Sequence, residues 1–360
     1  MVVLDELHSP VKLETMRLAL GGKSLRLPNT MKLASLTDLS LEGIKIVKGG
    51  VHLLGRLVSS VSCPHLEKLR MSKLWLDFNE EIRLEADVLS ELWVEHVNVM
   101  SLQLRTPHLK VLHIDSCHHK VLRVSALRLE ELALFIPLGC TLRSLEVDGD
   151  LPCVRNLKLC LWSHLPPDPP DGEAENDAGM LLLKHCSSVT CLHITLDGRK
   201  STYVDLIKSR VPHLPHITSL IVNVSFMLER HDFGVGVASL LTRFNNLRRL
   251  SMHLPSFLSL TIGHPMHEIS MAHVQEVELT GLTGTDCELW FMKAMLASAA
   301  GLCKVAISFN PQCGQHLGKM DAFERMLLDE GMLTSHREAL MLTCHSWASR
   351  NFWRLYALMS

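Results

Sequence analysis

A leucine-spaced segment recurs in this chain at a fixed interval of 20 residues. The three clearest copies are Leu89-x-x-Leu92-x-Val94, Leu109-x-x-Leu112-x-Ile114 and Leu129-x-x-Leu132-x-Leu134. Looser copies, mostly 20 to 30 residues apart, begin at Leu13, Leu36, Leu66, Val154, Val189, Ile217, Leu247, Val274 and Leu302. Such a period predicts a repeat architecture through most of the chain.

The spacing within each copy predicts a short strand. Apolar residues two positions apart, such as Leu112 and Ile114, point to one face of a strand. One coil cannot bury this face alone, so coils stack and their leucines fill a continuous interior. A total of 67 leucines in 360 residues, with only 5% aromatic residues, suits such a core. We predict an α/β leucine-rich-repeat solenoid, a single curved horseshoe whose inner parallel sheet has about a dozen strands.

The outer side of each coil is predicted to differ between the two halves of the chain. In the first half, outer strands or loops are indicated by Leu102-x-Leu104, Leu122-x-Val124 and Leu142-x-x-Leu145-x-Val147. In the second half the repeats lengthen to between 27 and 30 residues and leave room for helices. These helices are expected over 234–244, from the capping box Thr285-Asp-Cys-Glu288 to Ala300, and from Asp321-Ala-Phe-Glu324 to Gly331.

Charge and composition narrow the function classes. A net charge of −2 provides no global field for nucleic acid or an anionic membrane. The N-terminus lacks a signal-peptide pattern, and no apolar stretch is long enough to span a membrane. The 11 cysteines are odd in number and scattered, which favours buried reduced thiols over a disulfide framework. We expect a soluble protein of the cytoplasm or nucleus that binds neither nucleic acid nor membrane.

Catalytic and metal-binding patterns are weak. The groups Cys117-His118-His119 and Cys186, Cys191 and His193 lack the paired ligand spacing of zinc sites. Neither a Gly-x-Ser-x-Gly elbow nor a phosphate-binding loop occurs. The pair His113 and Asp115 points the same way, but a solvated sheet face requires such alternating polar residues. We therefore expect no enzyme activity, no metal and no cofactor.

The segment Val274–Ile307 carries a resemblance to a known family. It contains a strand-like stretch, a Gly281-x-x-Gly284 turn, a helical run that ends in small residues, and a second strand-like stretch. It resembles the FBD region that ends many plant F-box and leucine-rich-repeat proteins. Upstream segments such as Leu122-Arg-Val-Ser-Ala-Leu-Arg-Leu-Glu-Glu-Leu132 are similar to the irregular repeats of that family. The resemblance covers about residues 10 to 342 and implies the substrate-recognition part of an F-box-type ubiquitin-ligase receptor.

The repeats and this resemblance together divide the chain. We expect irregular repeats over 1–164, an acidic Pro-rich flexible loop over 165–179, longer repeats with helices over 180–270, FBD-like repeats over 271–342 and a divergent tail over 343–360. Family members begin with an F-box that docks on a Skp-type adaptor, whereas repeats start here by Leu13. We therefore expect adaptor binding only in a longer form that supplies an F-box.

Binding is predicted on the concave face, where residues between the buried leucines point outward. These residues are Arg17, Arg70, Trp93, Glu95, His113, Asp115, Phe135, Lys158, His193 and Asn223. Trp93 and Phe135 stand out because large aromatic residues are enriched at binding hot spots. The alternative is that outer loops or a neighbouring coil cover them. The chain is thus expected to be a protein-interaction module, or alternatively a stand-alone repeat scaffold with no ligase role.

Overall fold

A computed structural model of the chain has an α/β fold with a large parallel sheet of many strands and few helices. The structure describes residues 2–3, 12–28, 31–47, 49–77, 79–135, 144–162, 177–198, 211–227, 237, 240–254, 271–283, 286–310, 341–344 and 353–354. The chain divides into two compact units. The first comprises Met1–Cys160 and Asp171–Val189, and the second comprises Leu161–Pro170 and Thr190–Ser360.

Thirteen strands and two helices begin in the described part of the first unit. The strands are β1 (Val2–Val3), β2 (Thr15–Ala19), β3 (Ser24–Arg26), β4 (Asp38–Ile46), β5 (Lys68–Trp75), β6 (Glu81–Glu85), β7 (Glu91–Glu95), β8 (Ser101–Arg105), β9 (Val111–Asp115), β10 (Val121–Ser125), β11 (Glu131–Phe135), β12 (Ser144–Val147) and β13 (Asn156–Trp162). The helices are α1 (Val51–Leu57) and α2 (Asp177–His185).

These strands form two parallel sheets. The main sheet has the order β1-β3-β4-β5-β7-β9-β11-β13, with β2 also paired to β4. The second sheet has the order β6-β8-β10-β12. Strands of the two sheets alternate along the chain from β5 to β13, so each coil contributes one strand to each sheet. Both sheets direct apolar side chains such as Leu92 and Leu102 into the buried interior.

The 20-residue interval appears as exact register in the main sheet. Leu92 pairs with Leu112, and Leu112 pairs with Leu132. All three are buried. The repeat starts also share a turn, because ten of the twelve donate their backbone N–H to the carbonyl three residues earlier. These ten are Leu36, Leu66, Leu109, Leu129, Val154, Val189, Ile217, Leu247, Val274 and Leu302.

The outer layer of the first unit is a four-stranded sheet with a helix next to each edge strand. The predicted outer segments are confirmed as strands β8, β10 and β12. Helix α1 packs against β6, and α2 contacts β12. A Cβ atom added at Gly55 of α1 would lie 2.6 Å from the carbonyl oxygen of Arg83 on β6, so this contact is close.

Helix α1 corrects the prediction that the first half has only outer strands and loops. It lies in the 30-residue step from Leu36 to Leu66, where there is room for a helix. Its side chains Val51, Leu54 and Leu57 recur every third residue and are buried. The number of residues between successive repeat starts, and not their position in the chain, therefore decides whether a helix or a strand forms on the outer side.

The boundary of the predicted acidic loop also needs correction. Helix α2 begins at Asp177, inside the range 165–179 that was expected to be loop. Ala178 and Met180 are buried, and this apolar burial stabilises a helix against the coil. The rest of that range, 165–176, lies outside the described residues.

The second unit contains seven strands and one helix in its described part. They are β14 (Cys191–Gly198), β15 (Ser219–Met227), β16 (Arg249–His253), β17 (Glu276–Leu282), α3 (Asp286–Ser298), β18 (Lys304–Phe309), β19 (Met341–Cys344) and β20 (Trp353–Arg354). These strands pair in chain order, all parallel except β20, which is antiparallel to β19. The buried residues Leu192, Leu220, Leu250, Val277 and Val305 lie in register across five of them.

The strand, helix and strand order predicted for 274–307 is observed. The buried carboxylate of Glu288 accepts hydrogen bonds from the backbone N–H and the hydroxyl of Thr283, at 2.8 and 2.9 Å. The predicted capping partner of Glu288 was Thr285, so its observed partner lies two residues earlier in the chain. Gly281 has φ +81°, and a Cβ atom there would lie within 3 Å of the Leu254 carbonyl oxygen, so this position requires glycine.

Two other predicted helices are described only in part or not at all. Within 234–244, Val237, Leu240 and Leu241 are helical and buried. The helix predicted from Asp321 to Gly331 lies outside the described residues.

Candidate partner-binding surface

The side chains that point away from the leucine core of the first unit's main sheet form rows because its strands are in register. All of those in the two rows below are at least partly exposed except Ser72 and Ala133, which are buried. One row consists of Arg17, Ser40, Arg70, Trp93, His113, Ala133 and Lys158. A second row, two residues further along each strand, consists of Ala19, Glu42, Ser72, Glu95, Asp115 and Phe135. We call these two rows the open face. Neighbouring strands in a sheet are about 4.8 Å apart, so each row is a closely spaced series of side chains.

The open face contains eight of the ten predicted binding residues. They are Arg17, Arg70, Trp93, Glu95, His113, Asp115, Phe135 and Lys158. The register places Trp93 and Phe135 in different rows, on strands separated by β9. The other two residues, His193 and Asn223, lie in the second unit on adjacent strands β14 and β15, where the Asn223 amide nitrogen is 2.7 Å from Nε2 of His193.

Trp93 lies at the centre of an aromatic and cationic contact. The guanidinium carbon of Arg70 is 5.1 Å from the centroid of the indole ring, within cation–π range. The imidazole of His113 contacts the same side chain, with ring centroids 3.8 Å apart and planes tilted by 47°. Trp93 is half-buried, and its Nε1 has no hydrogen-bond acceptor among the described residues. These contacts restrict the orientation of the indole ring.

A carboxylate extends this contact across two more strands. Oε1 of Glu131 lies 2.8 Å from Nε2 of His113 and 2.6 Å from Nζ of Lys158. Burial acts to raise the pKa of Glu131, but the hydrogen bonds from Lys158 and His113 outweigh it and hold the pKa below its usual value. Five adjacent strands are thus linked through Arg70, Trp93, His113, Glu131 and Lys158.

Glu131 was not among the predicted binding residues, because only side chains between the buried leucines were considered. It directly precedes Leu132, and the two-residue period of a strand places it on the same face as Ala133. The same alternation identifies Glu91, which lies 2.8 Å from Nζ of Lys68. A complete reading of the strand period would therefore have found both carboxylates.

Two adjacent depressions lie on the open face. The first has a volume of about 280 Å³ and carries three basic and three acidic side chains: Arg17, Lys68, Arg70, Asp38, Glu42 and Glu91. The second has a volume of about 290 Å³ and is lined by Arg70, Trp93, Val94, Glu95, His113, Asp115 and Phe135. Arg70 and Trp93 line both, so their contact forms the boundary between them.

The burial pattern of β9 agrees with the predicted strand orientation at three of four positions. Leu112 and Ile114 are buried, and Asp115 is exposed. His113 was expected to be accessible, yet its side chain is only 16% exposed. The reason is local, because the ring contacts Trp93 on one strand and hydrogen-bonds Glu131 on the next.

The second unit has a polar cluster that superficially resembles a catalytic group. The Ser251 hydroxyl lies 3.3 Å from Nε2 of His253 and 3.2 Å from Oε2 of Glu278, and Nδ1 of His253 is 2.5 Å from the Thr280 hydroxyl. A hydroxyl donates only one hydrogen bond, and a carboxylate is the stronger acceptor. Ser251 therefore donates to Glu278, and its contact with His253 does not use the hydroxyl proton.

The predicted cysteine and histidine groups do not assemble into a ligand set. Burial raises the pKa of the Cys117 thiol to about 11 and that of Cys186 to about 12. Burial, with a smaller contribution from His118, lowers the pKa of His119 to about 4. Within the described residues, no three His, Cys, Asp or Glu side chains converge to hold a metal ion. None of the helices in the same part of the chain is long and apolar enough to cross a membrane.

The chain matches no known protein-family model, no curated protein and no solved structure.

Proposed function

We propose that this chain is a non-enzymatic protein-interaction module built from leucine-rich repeats, and that the open face binds its partner. The observation that carries the proposal is the half-buried Trp93, which lies at the boundary of two adjacent depressions on the open face. Aromatic and arginine side chains in such positions are the ones most often found at interaction hot spots.

The repeat geometry supports this proposal. Each coil contributes one strand to the main sheet, and the register repeats over Leu92, Leu112 and Leu132. Stacked coils of this kind present an extended, continuous surface that suits a macromolecular partner.

The contacts on the open face support it further. The orientations of Trp93 and His113 are restricted by their contacts with each other, with Arg70 and with Glu131. Ordering a mobile side chain on binding costs about 0.5–1.5 kcal/mol, and side chains that are already held avoid much of this cost. The open face is therefore preorganised for binding.

Affinity capture tests the proposal. The purified chain would be used as bait in cell extract, and each captured protein would be produced separately for affinity measurement. Replacing Trp93→Ala together with Phe135→Ala should weaken binding of a direct partner by about 2 kcal/mol, or roughly 30-fold. A matched control replaces Val61→Ala and Leu127→Ala, two exposed apolar residues off the open face, and should bind normally. Equal affinity of both double variants would place the binding site elsewhere.

A second candidate is narrower: the chain is the substrate-recognition part of an F-box-type ubiquitin-ligase receptor. It rests on the resemblance of residues 274–307 to the FBD region, and on the strand, helix and strand order of β17, α3 and β18. Size-exclusion chromatography with a Skp-type adaptor tests it, using a longer form that supplies an F-box. Co-elution would support the receptor role, and separate elution would leave a scaffold that binds partners without a ligase.

A further inference from the structure

We infer that the second depression accepts an arginine side chain presented by a polypeptide partner. This inference rests on the proposed interaction function and specifies the chemistry of the partner.

The size of the depression indicates what it accommodates. Its volume of about 290 Å³ falls just below the range of about 300–1,000 Å³ that is usual for small-molecule sites. The lining combines aromatic surface from Trp93 and Phe135 with the carboxylates of Glu95 and Asp115. A single long side chain with an apolar stem and a charged head fits this combination.

The two carboxylates make the depression favour a positively charged group. Glu95 and Asp115 are register partners on adjacent parallel strands, and both are exposed. Like charges directly opposite each other on a sheet are destabilising, and a cation between them removes the repulsion. Their hydrogen-bond donors are the hydroxyls of Ser72 and Ser116, which carry no charge. The imidazole Nε2 of His96 lies 3.7 Å from Oε1 of Glu95, and among the described residues no lysine or arginine forms an ion pair with either carboxylate.

The aromatic lining favours arginine over lysine. A guanidinium is planar, stacks on aromatic rings and forms two parallel hydrogen bonds with a carboxylate. The contact of Arg70 with Trp93 is an instance of such stacking on this face. Phe135 is the register partner of Asp115, so an incoming guanidinium has an aromatic ring and a carboxylate side by side.

Arg70 does not block this site. It lies on β5, whereas Asp115 lies two strands away on β9 and Phe135 three strands away on β11. Arg70 lines the depression, but its guanidinium lies over Trp93, and among the described residues it forms no ion pair with Glu95 or Asp115. The first depression differs in kind, because its three basic and three acidic side chains balance and provide no preference for either sign.

Selection of random linear peptides displayed on phage tests the inference with the full chain as target. We expect the enriched peptides to contain arginine. In a synthetic copy of an enriched peptide, replacement of arginine by the neutral analogue citrulline should weaken binding by roughly 10- to 100-fold, since hydrogen bonds to charged groups contribute about 1.5–3 kcal/mol. The variant Glu95→Gln with Asp115→Asn should lose the same factor for the arginine peptide and should no longer distinguish citrulline. A control that replaces Glu85→Gln and Glu146→Gln on the second sheet makes the same charge change off the open face and should bind normally.

The outcomes separate this inference from the proposed function. Peptides that require Trp93 and Phe135 but bind equally with citrulline would overturn the arginine site and leave the interaction surface intact. Peptides that bind the Trp93→Ala and Phe135→Ala double variant as tightly as the wild type would count against the open face itself as the binding surface. Selection that enriches no arginine would also overturn the inference.

Discussion

The guanidinium of Arg70 lies over the indole ring of Trp93, its cross-strand register partner, at 5.1 Å from the ring centroid. From this pair the contacts continue through His113 to Glu131. The side chains at the centre of the open face therefore hold one another in position before any partner arrives, and each can be removed to test a separate part of the account.

The repeat core is tested by Leu112→Ala. Leu112 is fully buried between Leu92 and Leu132, so the substitution leaves a cavity and should cost about 2–5 kcal/mol of unfolding free energy. Urea unfolding followed by circular dichroism measures the loss. Asp115→Ala on the same strand serves as a control because Asp115 is exposed, and should change stability by no more than about 0.5 kcal/mol. A cost below about 1 kcal/mol for Leu112→Ala would contradict its burial.

The shared carboxylate is tested by Glu131→Gln. A lowered pKa means that Glu131 contributes stability above its ordinary pKa and that this contribution is lost as the pH falls below about 4.5. The variant should lose about 1 kcal/mol at pH 7, and the difference from wild type should shrink under acid conditions. The neighbouring Glu130→Gln, an exposed residue paired with Lys110 at 3.9 Å, should have little effect. A loss of equal size at all pH values would show that charge is not the cause.

Buried His119 should make the stability of the chain depend on pH. Its pKa is lowered from 6.5 to about 4, so between these values the unfolded chain binds a proton that the folded chain excludes. Stability therefore falls as the pH drops through this window. The substitution His119→Val introduces the residue type that the preceding coil has at the equivalent buried position, Val99. It should stabilise the protein by about 2 kcal/mol more at pH 5 than at pH 7.5.

The control for this prediction is His118→Asn, which copies Asn98 at an exposed position. It should change the pH profile of the melting temperature only slightly, because His118 contributes less than burial does to the lowered pKa of His119. Identical profiles for His119→Val and wild type would contradict the buried, neutral state of His119.

The packing of α1 on β6 is tested by Gly55→Ala. Alanine in place of glycine inside a helix normally stabilises by about 0.5–1 kcal/mol. Here the added methyl group would lie 2.6 Å from the carbonyl oxygen of Arg83, so we expect destabilisation instead. His52→Ala, at an exposed position of the same helix, should be neutral or slightly stabilising. A gain in melting temperature for Gly55→Ala would place α1 away from β6.

The sequence predicts the inner strands well, because the two-residue spacing of apolar residues within each short strand shows which of its faces is buried. Leu112 and Ile114 need only a two-residue period to define a buried face. The outer elements depend on how many residues join successive strands. The 30-residue step from Leu36 to Leu66 provides room for α1, whereas the 20-residue step from Leu89 to Leu109 has room only for β8.

The candidate site is only partly predictable, because side-chain contacts between neighbouring coils shape it. The 20-residue interval itself places Glu95, Asp115 and Phe135 at equivalent positions of successive coils, but it does not reveal that the guanidinium of Arg70 lies over Trp93. Likewise, the half-burial of His113 results from contacts with Trp93 and Glu131, which lie on other strands.

The most direct test of the open face as the partner-binding surface is site-specific photo-crosslinking to a partner identified by affinity capture. A photoreactive phenylalanine derivative would replace Glu42, an exposed residue that lines the first depression, and in a separate variant Arg105, an exposed residue of β8 on the second sheet. Partner binding on the open face predicts a crosslink from position 42 and none from position 105. A crosslink from position 105 with none from position 42 would contradict it.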